Sequence, residues 1–129
     1  MAYVIVFLGA GIGGAVRHGA NQLAAHLFGM GFPYGTLAVN VTGSFLMGVL
    51  AEYFAIRGGF SQELRLFLTT GMLGGFTTFS TFSLDSISLW ERGQWGAGAA
   101  YVAFSLLLSL GGLCAGLAIV RFLAQGQPA

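Results

Sequence analysis

The feature that most constrains this chain is the length of its charge-free intervals. Residues 1–16, 18–51, 66–84 and 93–120 contain no Asp, Glu, Lys or Arg. Only 7% of all residues are charged, whereas an ordinary soluble domain carries about 25%. Nine charged side chains cannot cover a soluble surface. This excludes a soluble enzyme, a nucleic-acid binder and a disordered tail, and it leaves an integral membrane protein.

A bilayer-spanning helix needs about 20 mostly apolar residues, so the second interval is too long for one span. A turn-forming cluster with Gly29, Gly31 and Pro33 divides it. The sequence therefore predicts an all-α, four-transmembrane-helix protein. The predicted spans are 2–27, 35–56, 63–90 and 95–123, which together make a single transmembrane domain over 1–129. No stretch is left for a soluble catalytic domain, so we do not expect an enzyme.

The arginines are nearly balanced across the predicted membrane. Arg57, Arg65 and Arg121 fall on the side of the N-terminus, and Arg92 falls on the other side. Arg17 lies near that other side or within the membrane. An excess of Lys and Arg in cytoplasmic loops sets the orientation of a membrane protein. So small a bias permits insertion in both orientations and antiparallel pairing of two copies.

Glycine is abundant inside the predicted spans. Gly9 and Gly13 are four residues apart, as are Gly112 and Gly116. Such pairs let helix backbones approach closely. Because four short helices bury little area, we expect close packing against another copy, which gives a homo-oligomer. The single cysteine, Cys114, is expected to be a small buried packing residue.

Several polar side chains fall inside the spans, where they are expensive in lipid. Residues four apart share one face of a helix. Two such tracks occur, namely Thr36, Asn40 and Ser44 in the second span and Tyr101, Ser105 and Ser109 in the fourth. Each track either lines a pore or forms hydrogen bonds that hold helices together. The spacing alone does not distinguish these two interpretations. Arg17 either anchors the first span at the interface or needs a partner, water or an anion inside it.

The middle of the third span has the least helix-like sequence. Residues 71–83 contain the adjacent pair Gly74 and Gly75 and five hydroxyl side chains, which disfavour a continuous helix. A helix broken at membrane depth is tolerated where it lines a cavity, and its free carbonyls can hold a cation. Phe79 and Phe82 are three apart and share a face. Their positive ring edges, beside hydroxyl donors, can hold a small anion; the alternative is a packing pair at a glycine kink.

These motifs together resemble the CrcB/Fluc family of fluoride channels. The resemblance rests on residues 74–83 in the third span, 35–44 in the second and 13–17 in the first. It implies a broken third helix and an antiparallel, dual-topology homodimer with two pores. It also implies passive, selective export of fluoride across the inner membrane of a bacterial cell, which relieves fluoride toxicity.

The resemblance further implies roles for individual residues. Main-chain carbonyls of Gly74 and Thr77 from both subunits would hold a structural Na⁺ at the dimer centre. The anion pathway would use eight residues, which are Arg17, Thr36, Asn40, Phe79, Phe82, Tyr101, Ser105 and Ser109.

Two other functions remain open. A small four-span, proton-coupled exporter of organic cations would match the size, but the first span lacks an acid. Asp85 and the three glutamates all fall towards span ends, whereas such an exporter normally needs an acid deep in a span. A non-transporting membrane subunit of a larger complex is the third reading.

Overall fold

The computed structural model describes residues 1–126, and every regular element in this range is helical. Three long helices are continuous: α1 (Ala2–Phe28), α2 (Tyr34–Arg57) and α6 (Trp95–Gln125). All three are long and apolar enough to cross a membrane. The predicted all-α, multi-span class is confirmed. The predicted turn between the first two helices is also present, and Gly29 takes the left-handed conformation there, with φ of 77°.

The remaining helix is interrupted near its middle. Its first arm, residues 62–76, comprises α3 (Gln62–Leu66), a π-helical segment (Phe67–Leu73) and the short turn α4 (Gly74–Phe76). Its second arm is α5 (Phe79–Glu91). Thr77 and Thr78 between the arms are extended, with ψ of 158° and 122°. The first arm packs on α1, and the second packs on α6.

The break begins two residues beyond the adjacent glycines, at Thr77, rather than at them. Gly75 is helical, and a Cβ there would collide with the backbone of Ala10 on α1. Gly13 on α1 meets the Met72 carbonyl oxygen just as closely. These glycines therefore bring the first arm and α1 into backbone contact, and the chain leaves the helix only at the two threonines.

Glycines also set the contact between α2 and α6. A Cβ at Gly48 would collide with the Leu113 carbonyl oxygen, and one at Gly116 would collide with that of Phe45. Cys114, by contrast, is exposed on the outer face of α6. The predicted buried position of Cys114 is therefore wrong for the single chain, because the inner face of this helix is taken by glycines.

Candidate functional site

The break in the third helix is bridged by one side chain from the middle of α2. The Asn40 amide nitrogen donates to the Thr78 carbonyl oxygen at 3.0 Å, and the Thr78 N–H donates to the Asn40 side-chain oxygen at 2.8 Å. One amide thus satisfies both main-chain groups of Thr78. A buried main-chain group without a partner is costly, so Asn40 stabilises the interruption.

The two threonines end one arm and begin the next. The Thr77 N–H and hydroxyl both donate to the Leu73 carbonyl oxygen, each at 3.0 Å. The Thr78 hydroxyl accepts from the Thr81 N–H at 3.2 Å. Thr78 is therefore the N-cap of α5, a position that favours Ser and Thr.

Two carbonyls at the break lose the donors that a continuous helix would supply. In an α-helix each carbonyl accepts from the N–H four residues later. Here the Thr78 N–H turns to Asn40 instead of Gly74, and the Thr81 N–H turns to the Thr78 hydroxyl instead of Thr77. The carbonyl of Gly75, between them, accepts from the Arg17 Nε at 3.1 Å.

A cavity of about 290 Å³ opens beside the break. It brings together five of the predicted anion-pathway residues, which are Asn40, Phe79, Phe82, Ser105 and Ser109. No Asp, Glu, Lys or Arg lines it. The Ser105 hydroxyl is buried, and it has no hydrogen-bond partner among residues 1–126. Because Ser105 also lines the cavity, this unused donor lies beside the space.

The two phenylalanines of the cavity differ in exposure. Their ring centroids are 5.4 Å apart at an angle of 52°. Phe82 is half-buried and packs on Tyr101, whereas Phe79 is 75% exposed. The pair therefore extends from the interior of the bundle to its outer surface.

A second cavity of about 390 Å³ lies beyond Phe82, towards the turns at the far end of the bundle. Thr36, Asp85 and Arg92 are among its lining residues. Tyr101 is fully buried, and its hydroxyl donates to an Asp85 carboxylate oxygen at 3.2 Å. The Phe82–Tyr101 ring pair thus lies between the two cavities.

Comparison of the amino-acid sequence with known proteins identifies the family to which this chain belongs. Residues 4–117 match the family model described as CrcB-like protein, Camphor Resistance (CrcB). The chain belongs to the CrcB family. A relative from Rhodopseudomonas palustris (strain BisB5), named fluoride-specific ion channel FluC, is 53% identical over 94% of this chain and 98% of its own length. Relatives of the same name from Methylobacterium nodulans and Granulibacter bethesdensis are 55% and 52% identical, covering 92% and 98% of this chain and 94% and 99% of their own lengths.

In this CrcB-family chain, the matched region contains the break and both cavities. Sequence reasoning placed the polar tracks but did not pair Asn40 with Thr78, because the partner is a main-chain group 38 positions away. It also missed the bond between Tyr101 and Asp85. Thr78 itself had a usable signal, since a threonine directly before an apolar residue is a candidate helix N-cap.

Proposed function

We propose that this protein is a fluoride-selective channel that exports fluoride passively across the bacterial inner membrane, and that it is not an enzyme. The observation that carries the proposal is the cavity at the break, which presents hydroxyl groups and aromatic edges with no charged side chain. Membership of the CrcB family and relatives named as fluoride-specific ion channels support it.

The chemistry of the cavity suits fluoride. A channel must replace the hydration shell of its ion and yet release the ion quickly. Hydroxyl donors and positive ring edges supply such contacts without a full charge. The chain has no lysine, and Arg17, whose Nε donates to the Gly75 carbonyl, does not line the first cavity. Fluoride would therefore meet weak donors rather than a strong ion pair.

The proposed anion pathway runs through both cavities. Of the residues expected from the sequence, five line the first cavity and Thr36 lines the second. Tyr101 lines neither cavity but packs on Phe82 and bonds to Asp85, and Arg17 lies at the break. The orphan hydroxyl of Ser105 is the donor best placed to bind the ion, because it has no protein partner to give up.

The functional unit that we propose is an antiparallel, dual-topology homodimer with one pore per copy. Phe79 supports it, because this ring belongs to the cavity and is nevertheless 75% exposed in one chain. A second copy would close the open side of the pathway. The near balance of arginines across the membrane permits the opposite orientations that this arrangement needs.

The same dimer would hold a structural Na⁺ between the two breaks. The carbonyls of Gly74 and Thr77 fit this role, because their helical donors are diverted to other acceptors. A hard cation takes several oxygen ligands. One copy offers two such oxygens, so a second copy would complete the set. The bound ion would supply positive charge where four carbonyl dipoles converge.

The test is fluoride efflux from liposomes that contain the purified full chain. We expect efflux recorded by a fluoride electrode without any pH gradient, and no efflux of chloride. Flux that requires a pH gradient would instead indicate the proton-coupled exporter. A folded preparation that conducts nothing would indicate a subunit of a larger complex, and it would overturn the channel.

A further inference from the structure

Arg65 lies near the start of the first arm with its guanidinium group on an aromatic ring. Its guanidinium carbon is 5.6 Å from the ring centroid of Phe54. Phe54 is only 7% exposed, so its ring is held in place by packing on the side away from the cation. Such stacking holds the plane of an arginine in place while its edge stays available for hydrogen bonds.

The Arg65 side chain has an unpaired hydrogen-bond donor within residues 1–126. The Nε atom is buried without a partner, and within residues 1–126 the side chain makes no ion pair or hydrogen bond. The carboxylate of Glu52 at the same end of the bundle is bound to Arg121 at 3.2 Å. A half-buried guanidinium with unused donors is unfavourable unless something outside the chain supplies oxygen.

The surroundings of Arg65 match the edge of a bilayer. Phe60 packs on both Tyr53 and Phe54, with ring centroids 5.4 and 5.1 Å apart. Of these three residues Tyr53 is of the type that concentrates where the membrane meets water. Ile56 and Leu64 nearby in sequence are 45% and 39% exposed. The cation therefore lies on the ring of Phe54, and exposed apolar side chains occur on the same segments of the chain.

We propose that Arg65 binds the phosphate of an anionic phospholipid. The fork of a guanidinium matches two phosphate oxygens at once. This end of the chain carries Arg57, Arg65 and Arg121 against Glu52 and Glu63, so a net negative headgroup is favoured over a zwitterionic one. Arginines at the membrane surface attract anionic lipids in this way.

The experiment uses the purified, delipidated full chain in detergent. Its thermal midpoint is followed while phosphatidylglycerol, phosphatidylcholine with the same acyl chains, or inorganic phosphate is added. We expect phosphatidylglycerol to raise the midpoint most. Arg65→Gln should weaken the apparent affinity about tenfold, which corresponds to about 1.4 kcal/mol. The control Arg92→Gln, at the opposite end, should keep the wild-type affinity.

Several outcomes would overturn the proposal. Equal effects of Arg65→Gln and Arg92→Gln would mean that no site exists at Arg65. An equal shift with inorganic phosphate would mean a free-anion site, and an equal shift with phosphatidylcholine would remove the preference for negative charge. If Arg65→Gln does not fold, Arg65→Lys keeps the charge but loses the fork, and it should bind phosphatidylglycerol more weakly than wild type does. The proposed channel function stands or falls separately, in the efflux assay.

Discussion

At the scale of single residues, Asn40 shows how far a sequence pattern reaches. Its four-residue spacing from Thr36 and Ser44 indicated either a pore-lining role or hydrogen bonding between helices, and in the structure it binds both main-chain groups of Thr78. The pattern could not supply the partner, because every residue has the same main-chain N–H and C=O. Only the fold decides which of them lies opposite a given amide.

Replacement of Asn40 should destabilise the protein. In Asn40→Ala the N–H and C=O of Thr78 lose their partners, and each buried unpaired group costs about 1–3 kcal/mol. We expect a lower unfolding midpoint in detergent and slower fluoride efflux. Ser44→Ala, one turn away in the same cavity, is the control and should change stability by less than about 0.5 kcal/mol. Equal midpoints for the two variants would contradict the bridging role.

Phe79→Ile and Phe82→Ile should each reduce fluoride throughput without dissociating the proposed dimer. Isoleucine keeps most of the apolar bulk but has no positive ring edge for the anion. The matched control is Phe122→Ile, because Phe122 is also 75% exposed but lies outside both cavities. Wild-type efflux in both cavity variants would mean that the two rings only pack.

At the scale of helices, the interruption was predictable and its position was not. Glycines and hydroxyl residues in the third span both disfavour a continuous helix, and glycine does so more strongly. Intrinsic preference alone therefore does not place the break at the threonines. Packing does, because Gly75 is held helical by its contact with Ala10. The two threonines have side-chain hydroxyls that can replace helical hydrogen bonds, so the chain turns there.

Gly13→Ala should separate α1 from the first arm. The new methyl group would meet the Met72 carbonyl oxygen, a backbone atom that cannot swing aside, and such overpacking costs about 1–3 kcal/mol. Chemical unfolding in detergent measures the loss. Gly11→Ala in the same helix has no neighbour within 4 Å and should be close to neutral. A neutral Gly13→Ala would show that the helices are free to move apart.

At the scale of the whole molecule, composition alone predicted the class of protein. The absence of charge from long intervals requires lipid around the helices, and the three apolar helices agree. Which outer face meets lipid and which meets protein was beyond the sequence, because both faces are apolar. The exposed ring of Phe79 beside a polar cavity is the structural sign that one face is unfinished in a single chain.

Replacing Na⁺ with N-methyl-D-glucamine throughout purification should weaken the proposed dimer. The carbonyls of Gly74 and Thr77 would then face their counterparts without a cation, and like dipoles would repel. Size-exclusion chromatography and thermal unfolding would report a shift towards monomer and a lower midpoint. Replacing chloride with gluconate is the control and should change neither. A dimer that is equally stable in both cations would contradict the proposal of a structural Na⁺.

Labelling from each side of the membrane tests the two orientations. In a Cys114→Ser background, Gln94→Cys places one thiol at the turn between α5 and α6. Because the arginine bias is small, an impermeant maleimide added outside intact cells should label about half of the chains. Permeabilised cells should allow complete labelling. Labelling near zero or near completion in intact cells would establish a single orientation.

The π-helical segment, Phe67–Leu73, determines which way the residues after it face around the helix axis. Each residue of an α-helix advances the chain by about 100°, and a π-helical turn accommodates an extra residue. Everything beyond the segment is therefore rotated relative to a plain helix begun at the same point. Converting the segment to a regular α-helix of the same length would turn Thr77 and Thr78 by about 100°, away from Asn40. The π-helical segment therefore determines the direction in which Thr77 and Thr78 face, and it turns them towards Asn40.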